Sequence, residues 1–319
     1  MEIAEVAAVC GSVLDEVSRA VVGKREVLEQ IMAAALAGGH VLLEDYPGLG
    51  KTLIARSFAA TLGLEFKRIQ FTPDLLPADI TGGYIYNRVD NRFDLRQGPL
   101  FTNVLLADEI NRASPKTQSA LLEAMQEVQV TLEGETFKLP QPFVVIATQN
   151  PIEYEGTFPL PEAQLDRFLV KLAVGYPSAD EEQLIVQRRR ERQQEDLALR
   201  AVTTPAAWPE MRQAVERVFV SSDLEHYLVA LVAQTRKDQR VAVGASPRAS
   251  LALLKLARAR AALAGRDFIL PDDVKAFVRP VFIHRLILQP EHWMKQRVAE
   301  DVIESVMRTV PVPVLDGAR

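Results

Sequence analysis

The sequence predicts an α/β protein in which helices cover a parallel sheet, followed by a domain of helices. Short apolar runs alternate with helical stretches up to residue 176, and a turn rich in Gly and Pro joins the first run to a helix. After Tyr176-Pro177 charged helical segments take over. We expect a three-layer αβα domain over residues 1–176, and a linker helix with an all-α domain over residues 177–319.

The composition is that of an ordinary globular chain. It has 319 residues, 48% of them hydrophobic, and 37 Lys+Arg against 42 Asp+Glu give a net charge of -5. This acidic balance argues against a dedicated nucleic-acid binder. The single Cys10 excludes an internal disulfide framework and fits a reducing compartment, where it would serve as a small apolar side chain. With no membrane-length apolar run and no signal segment, we expect a cytoplasmic protein without membrane insertion.

The chain begins with two predicted helices and continues into the strands. Apolar residues repeat at helical spacing over 6–17 and 27–36, on either side of a break at Val21-Val22-Gly23. Most of the strand-like runs are continuous, as in strands buried on both faces of a parallel sheet. These runs are 41–43, 66–71, 104–107, 143–147 and 168–174, with helices at 52–62 and 116–128 among them.

Two segments interrupt this alternation. Residues 82–95 alternate apolar and polar side chains around a polar tip, and residues 129–139 do so around a turn at Glu133-Gly134. We interpret both as β-hairpins, with solvated surface loops as the alternative.

Start signals predict four helices in the C-terminal part. The signals are Ser178 with Glu181 for a helix to about Arg200, Ser222 with Glu225, Ser246 with Pro247 for a helix that stops at Gly265, and Pro271 with Asp272 and Asp273. We interpret the arginine run at 188–192 as a solvated helix face, with a phosphate or DNA contact as the alternative.

Residues 42–52 have the arrangement of a phosphate-binding loop. An apolar strand leads into the turn, and Lys51-Thr52 opens a helix. Backbone N–H groups of such a loop wrap the phosphates, the Lys ammonium reaches the outer ones, and the Thr hydroxyl ligates Mg²⁺. Asp45 departs from the pattern because it occupies the position of the first Gly, and a plain Gly-rich turn is the alternative. The predicted nucleotide-binding residues are Pro47, Gly48, Leu49, Gly50, Lys51 and Thr52.

Polar side chains follow two of the later strands. Asp108 and Glu109 end the run 104–107, where Asp108 can hold Mg²⁺ and Glu109 can polarise the attacking water. Asn150 ends the run 143–147 and can orient water or contact the γ-phosphate. Otherwise Asn150, standing before Pro151, would be a turn residue.

Four segments in this order resemble the AAA+ ATPases, and more narrowly the MoxR family. The segments are 44–52, 108–113, 147–151 and 161–168, and the resemblance runs from about Val22 to the last helix. It implies a P-loop NTPase core with a helical lid, ATP and Mg²⁺ as cofactors, and a cytosolic homo-oligomeric ring, often a hexamer. It also implies chaperone-like remodelling of a protein partner, in many members a von Willebrand factor A domain protein whose metal site they help to mature.

The resemblance also implies roles for single residues. Lys51 and Thr52 resemble the Walker A pair, Asp108 and Glu109 Walker B, Asn150 sensor 1, Arg167 an arginine finger acting on the neighbouring subunit, Arg248 sensor 2, and Val22-Gly23 the adenine contact. Arg167 could instead be an intrachain partner of Asp166 or Glu162, and Arg248 an ordinary first-turn charge. The two hairpins resemble the helix-2 insert and the hairpin before sensor 1, which face the pore or the substrate in related rings.

Two other functions stay open at this point. One is a nucleotide-gated regulator that binds its partner with negligible turnover. The other is a DNA-directed AAA+ motor, against which the acidic balance and the absence of an appended nucleic-acid domain count.

Overall fold

The structure, a computed structural model, describes residues 1–151, 156–194, 197–293, 295 and 297–313. Its strands are β1 Val41–Glu44, β2 Phe66–Gln70, β3 Gly82–Asn87, β4 Arg92–Gln97, β5 Val104–Asp108, β6 Gln129–Leu132, β7 Glu135–Lys138, β8 Val144–Gln149, β9 Val170–Leu172, β10 Val241–Val243 and β11 Ile287–Leu288. Its helices are α1 Ile3–Ala20, α2 Arg25–Leu36, α3 Lys51–Leu62, α4 Pro77–Thr81, α5 Pro115–Glu127, α6 Glu162–Leu165, α7 Ala179–Arg192, α8 Trp208–Glu216, α9 Ser222–Thr235, α10 Pro247–Leu263, α11 Pro271–Phe282 and α12 Val298–Thr309.

The five predicted strands are confirmed as one parallel sheet in the order β2-β5-β8-β1-β9. β1, the strand before the phosphate loop, lies between β8 and β9. β8 separates it from β5, the strand that ends in Asp108. Because parallel strands end at the same edge, the polar residues that follow β1, β5 and β8 share that edge.

Alternate side chains of each strand enter two different apolar cores. Leu43 and Leu106 belong to a core shared with α1, α2 and α3, whereas Leu42 and Leu105 belong to a core shared with α5. Successive side chains of a strand point to opposite faces, so continuous apolar strands require helices on both sides. The predicted three-layer αβα fold is therefore confirmed.

The C-terminal part is a helical lid that adjoins the α1–α3 layer. Val13 of α1, Leu28 of α2 and Leu253 of α10 are fully buried members of one apolar core. The C-terminal helices therefore pack on the N-terminal helices α1 and α2 and share their core. Among the described residues, no helix is both long enough and apolar enough to cross a membrane.

Both predicted hairpins are confirmed, as β3–β4 and β6–β7. They are joined at their surfaces, because the Tyr84 hydroxyl donates to Glu135 Oε2 at 2.7 Å. The β3–β4 hairpin exposes large apolar side chains at Ile85, Val89 and Phe93, and Val89 is 92% exposed. Such side chains at a hairpin tip are a feature of contact surfaces.

The first C-terminal helix is shorter than predicted. The capping box of Ser178 and Glu181 is present, but α7 ends at Arg192 because Gln193 adopts a left-handed conformation with φ 58°. The chain then returns to the N-terminal helices. There the Arg200 N–H donates to the buried carboxylate of Glu16 at 3.1 Å. A backbone hydrogen bond made this way to a distant helix cannot be read from local sequence.

Two smaller predictions about the C-terminal part are corrected and a third is confirmed. The cap of α9 is Ser221, whose hydroxyl accepts from Leu224 N, and Ser222 is the first helical residue. As predicted, α10 starts at Pro247 with Ser246 in the cap position, although the Ser246 side chain makes no capping hydrogen bond. The strands do not all end before residue 177, because β10 and β11 form a short antiparallel ribbon. Two such brief strands carry too few residues to show a period of two.

Candidate active site

The predicted phosphate loop connects β1 to α3. Gly50 is the residue before α3 and has φ 79°, a left-handed conformation that glycine adopts without a Cβ clash. Lys51 is the first helical residue, and its Nζ donates to the Asp45 carbonyl oxygen at 2.5 Å. The α3 N-terminus has no side-chain cap, so its first N–H groups are suited to an anion. Tyr46, Pro47 and Gly48 are exposed, so a ligand can reach this loop.

Asp45, which departs from the loop pattern, is buried at 7% exposure. Its carboxylate accepts two backbone hydrogen bonds, from Tyr46 N to Oδ1 at 2.8 Å and from Gly175 N to Oδ2 at 2.5 Å. Its own N–H donates to the Gln149 carbonyl at the end of β8, at 3.2 Å. Asp45 therefore holds the start of the loop to two segments on either side of β1.

Asp108 and Glu109 lie at the end of β5, and Thr148 of β8 bridges them. The Thr148 hydroxyl donates to Asp108 Oδ1 at 2.6 Å and accepts from the Glu109 N–H at 2.8 Å. Glu109 has φ 56°, a conformation that non-glycine residues seldom adopt, so its backbone turns sharply where the strand ends. The Asp108 carboxylate and the Glu109 backbone are thus held in place by β8.

Three polar side chains near these carboxylates were missed by the sequence analysis. Arg68 of β2 donates to Asp108 Oδ2 through Nη2 at 2.7 Å. Gln70 donates to Glu109 Oε2 at 2.7 Å, as does Arg112 at 2.9 Å. Polar residues at positions 68 and 70 of a predicted strand were a visible signal. Their significance depends on β2 being the neighbour of β5, which only the sheet order reveals.

Asn150 follows β8, the strand between the loop strand and the carboxylate strand. Its side chain is buried at 6% exposure. Glu44, just before the loop, is in register with Gln149, the residue before Asn150. The loop, Asn150 and the pair Asp108–Glu109 therefore follow three neighbouring strands at one sheet edge, with β8 between the loop strand β1 and the carboxylate strand β5.

The donor groups at this edge fit a magnesium ion better than a metal held only by protein. In the described part of the chain, no group of three or more His, Cys, Asp or Glu side chains could hold a metal ion. Mg²⁺ usually takes one or two protein oxygens and completes its octahedron with phosphate and water. Thr52 and Asp108 offer that small set of hard oxygens.

The segment predicted to contact adenine meets the phosphate loop at Tyr176. Val22 and Gly23 lie between α1 and α2, and the next residue, Lys24, donates from Nζ to the Tyr176 carbonyl at 2.7 Å. The Tyr176 ring lies against the Tyr46 ring of the loop, with 5.9 Å between centroids. Both segments that the sequence predicts to bind nucleotide thus touch the linker that leads into α7.

Arg167, predicted as a finger, has an intrachain partner that the sequence did not suggest. Its guanidinium contacts the Gln126 side chain and the Leu122 carbonyl, both on α5. Neither Asp166 nor Glu162, the alternatives considered from the sequence, is among these contacts. Asp166 is instead bound by arginines of the lid.

These lid arginines are Arg248 and Arg285. The Arg285 side chain is only 4% exposed, and its Nε donates to Asp166 Oδ1 at 2.6 Å while its other nitrogens donate to backbone carbonyls that include Phe168 O. Burial lowers the pKa of Arg285, and the Asp166 carboxylate opposes that shift. Arg248, at the start of α10, is exposed and lies 3.5 Å from Asp166 Oδ2. The predicted sensor 2 arginine therefore lies beside the residue preceding the predicted finger.

The comparisons with known proteins agree with this geometry. A family model described as "ATPase family associated with various cellular activities (AAA)" matches residues 40–170, and one described as "AAA lid domain" matches residues 233–306. The chain is 48% identical to the uncharacterised protein YeaC of Bacillus subtilis, over 97% of this chain and 96% of the relative. It is 45% identical to Chaperone MoxR1 of Mycobacterium tuberculosis, over 93% and 81%. A crystal structure of a protein from Cytophaga hutchinsonii superposes with a TM-score of 0.90 at 39% identity, covering 97% and 96% of the two chains.

Proposed function

The chain belongs to the MoxR family of AAA+ ATPases, and from this membership we propose that it hydrolyses ATP to remodel a protein partner. In this proposal the loop from Pro47 to Thr52 binds the phosphates, and Val22 and Gly23 contact the adenine. Thr52 and Asp108 would hold Mg²⁺, which would supply charge neutralisation at the phosphates. Glu109 and Asn150 polarise and orient the attacking water. Arg167 and Arg248 act from the neighbouring subunit and from the lid.

One observation carries this proposal. The loop after β1, Asn150 after β8 and the carboxylates ending β5 follow three adjacent strands and meet at one edge of the sheet. Hydrolysis of a phosphoanhydride needs an anion cradle, a metal ligand and a base within reach of one phosphate. Burial of Asn150 and the bridging hydroxyl of Thr148 support a preorganised arrangement of these groups.

The test separates nucleotide binding from turnover. Lys51→Ala removes the ammonium that neutralises the outer phosphates, so we expect the loss of tight ATP binding in calorimetry. Glu109→Gln keeps the shape of the side chain but polarises water poorly. We expect wild-type binding with single-turnover hydrolysis slower by about 10²–10⁴-fold.

A matched control is Glu44→Gln, which removes a carboxylate next to the loop that pairs with Lys171 on β9. It should bind and hydrolyse ATP like the wild type. Unchanged binding in Lys51→Ala would contradict the assignment of the loop. Wild-type protein that binds ATP but shows negligible turnover at every protein concentration would favour a nucleotide-gated regulator.

The proposal extends to assembly and partner. We expect a homo-oligomeric ring, a hexamer, in the cytoplasm, and a partner with a von Willebrand factor A domain. The name of the Mycobacterium relative supports a chaperone-like role, and the exposed apolar tip of β3–β4 supports contact with a polypeptide. Sedimentation with ATP tests the ring, and co-sedimentation with such a domain tests the partner. ATPase activity stimulated by DNA would instead favour the motor alternative.

A further inference from the structure

Asp45 stands where the phosphate-loop pattern has glycine, and its contacts suggest why. A buried carboxylate is retained only when hydrogen bonds compensate its lost hydration. Here two backbone N–H groups do so, one from Tyr46 inside the loop and one from Gly175 outside it. A glycine at position 45 would leave both donors without this acceptor. The Gly175 bond is the informative one, because it joins the loop to a segment 130 residues away.

Gly175 belongs to the linker between the sheet and the lid. β9 ends at Leu172, α7 begins at Ala179, and Gly175 has φ 71°, a left-handed backbone that lets the chain change direction. The adjoining Tyr176 contacts the Tyr46 ring of the phosphate loop and accepts from Lys24. The linker is therefore held from one side by the phosphate loop and from the other by the segment proposed to bind adenine.

We infer that Asp45 is a positioning residue that ties the phosphate loop to this linker, so that nucleotide in the loop sets the position of the lid. Only the second part of this inference, that nucleotide sets the position of the lid, rests on the proposed function. The tether itself consists of contacts within the chain. Hydrogen bonds to a buried carboxylate are charge-assisted and about twice as strong as neutral ones, which suits a rigid connection.

The phosphate loop can also pass on to the linker whether nucleotide is bound. Lys51 Nζ donates to the Asp45 carbonyl, and the same ammonium is the proposed contact to the outer phosphates. A phosphate competes for this ammonium, so binding alters the bonding of the Asp45 backbone. Because the Asp45 carboxylate binds the Gly175 N–H, a shift of residue 45 moves the linker and hence the start of α7. Only this chain's own bonds are needed for that coupling.

The test measures lid position and nucleotide affinity separately. Cys10 is buried and burial raises its pKa to about 12, so thiol dyes will react with introduced cysteines instead. Glu65→Cys on the core and Lys255→Cys on the lid are exposed attachment sites. Energy transfer between them is recorded with and without ATP, with labelled chains diluted into unlabelled ones. Affinity is measured by calorimetry on the same proteins.

Asp45→Gly restores the standard loop pattern and removes the tether. We expect ATP affinity close to that of the wild type, with the ATP-dependent change in energy transfer largely lost. Asp45→Leu keeps a side chain of similar size but offers no acceptor to either N–H donor, so it should show the same loss. It also keeps the test open if the glycine variant folds poorly. The control Glu44→Gln should respond like the wild type.

Hydrogen exchange tests the tether without nucleotide. Loss of the bond to Asp45 should speed exchange in a peptide containing the Gly175 amide by about tenfold or more in both variants. A full energy-transfer response in Asp45→Gly, or wild-type exchange at Gly175, would overturn the inference. So would loss of ATP binding in a folded variant, because Asp45 would then belong to the nucleotide site. If the wild type binds no nucleotide, the proposed function fails. Faster exchange of the Gly175 amide in the Asp45 variants would still support the tether.

Discussion

Two groups of side chains near the candidate site are built in different ways. We call Asp108, Glu109 and their partners the carboxylate edge, and Asp166, Arg167 and the lid arginines the arginine cluster. At the carboxylate edge, Asp108 and Glu109 are held by residues of the adjacent strands, such as Thr148 and Gln70. In the arginine cluster, Asp166 is held by residues of the lid, above all Arg285. Arg167, the next residue, contacts α5. The carboxylate edge is therefore fixed within the sheet, whereas the arginine cluster connects the sheet domain with the lid.

This difference bears on what each half can do. Groups fixed by neighbouring strands keep their geometry through a reaction cycle and suit the positioning of water and metal. Groups held between a sheet domain and a lid change their surroundings whenever the lid moves. We therefore expect catalytic chemistry from the carboxylate edge and communication between lid and subunits from the arginine cluster.

The largest expected effect that tests this contrast comes from substituting Arg167. If it completes a neighbour's site, Arg167→Ala should lose hydrolysis by about 10³–10⁵-fold while retaining ATP binding, since finger arginines have effects of that size. Specific activity of the wild type should rise with protein concentration. Mixing Arg167→Ala with Lys51→Ala should recover turnover, because mixed rings contain interfaces with an intact loop and an intact finger.

Gln126→Ala is the matched control for this experiment. It removes the side-chain partner of Arg167 but leaves the arginine and the Leu122 carbonyl. Near-normal turnover is expected, whereas a purely structural role predicts that both variants are destabilised alike. A normally folded Arg167→Ala protein with concentration-independent activity and no recovery on mixing would falsify the shared-site model.

Asp166 should show a large effect on stability. Asp166→Asn leaves the buried guanidinium of Arg285 without its anionic partner, for which we expect a loss of about 3 kcal/mol in the free energy of unfolding. Arg248→Ala removes the exposed partner of the same carboxylate, and its effect should stay below about 1 kcal/mol. Urea denaturation of both variants measures the difference. Equal losses would mean that lid and core are not joined through Arg285.

The smallest expected effect concerns His40, a buried histidine directly before β1 and therefore at the opposite end of that strand from the phosphate loop. His40 Nδ1 accepts from Val145 N and Nε2 donates to Met125 O, and burial lowers its pKa to about 4. An unfolded histidine titrates near 6.5, so the unfolded chain binds the extra proton first. The stability that neutral His40 contributes is complete above about pH 6.5 and falls as the pH drops towards 4. Between pH 7.5 and 5.5 this loss is about 1 kcal/mol.

His40→Gln, which can keep both hydrogen bonds, should reduce the pH dependence of stability by that amount. Thermal or urea unfolding at the two pH values gives the comparison with the wild type. An unchanged slope would show that other groups dominate acid unfolding. His284, in the arginine cluster, has its pKa lowered by burial and then by the charge of Arg285, so it should remain as a second contributor in the variant.

Local sequence was sufficient to predict the helices and strands of the sheet domain and the order of the motifs along the chain. The five sheet strands, both hairpins and the position of Lys51 at the start of α3 follow from apolar period, turn residues and loop chemistry, which act between near neighbours. The MoxR membership follows from the same segments. The boundary at residue 176 and the functional roles of the site residues stay predictions from the sequence.

Only the tertiary structure decided which distant groups meet. The sheet order makes β2 the neighbour of β5, so that Arg68 and Gln70 reach Asp108 and Glu109. The bond from the Gly175 N–H to Asp45 and that from the Arg200 N–H to Glu16 likewise depend on packing between segments far apart in the chain. Residue spacing encodes the local conformation of the backbone. Pairings across the fold result from the joint burial of apolar faces and the satisfaction of buried polar groups, which no single segment specifies.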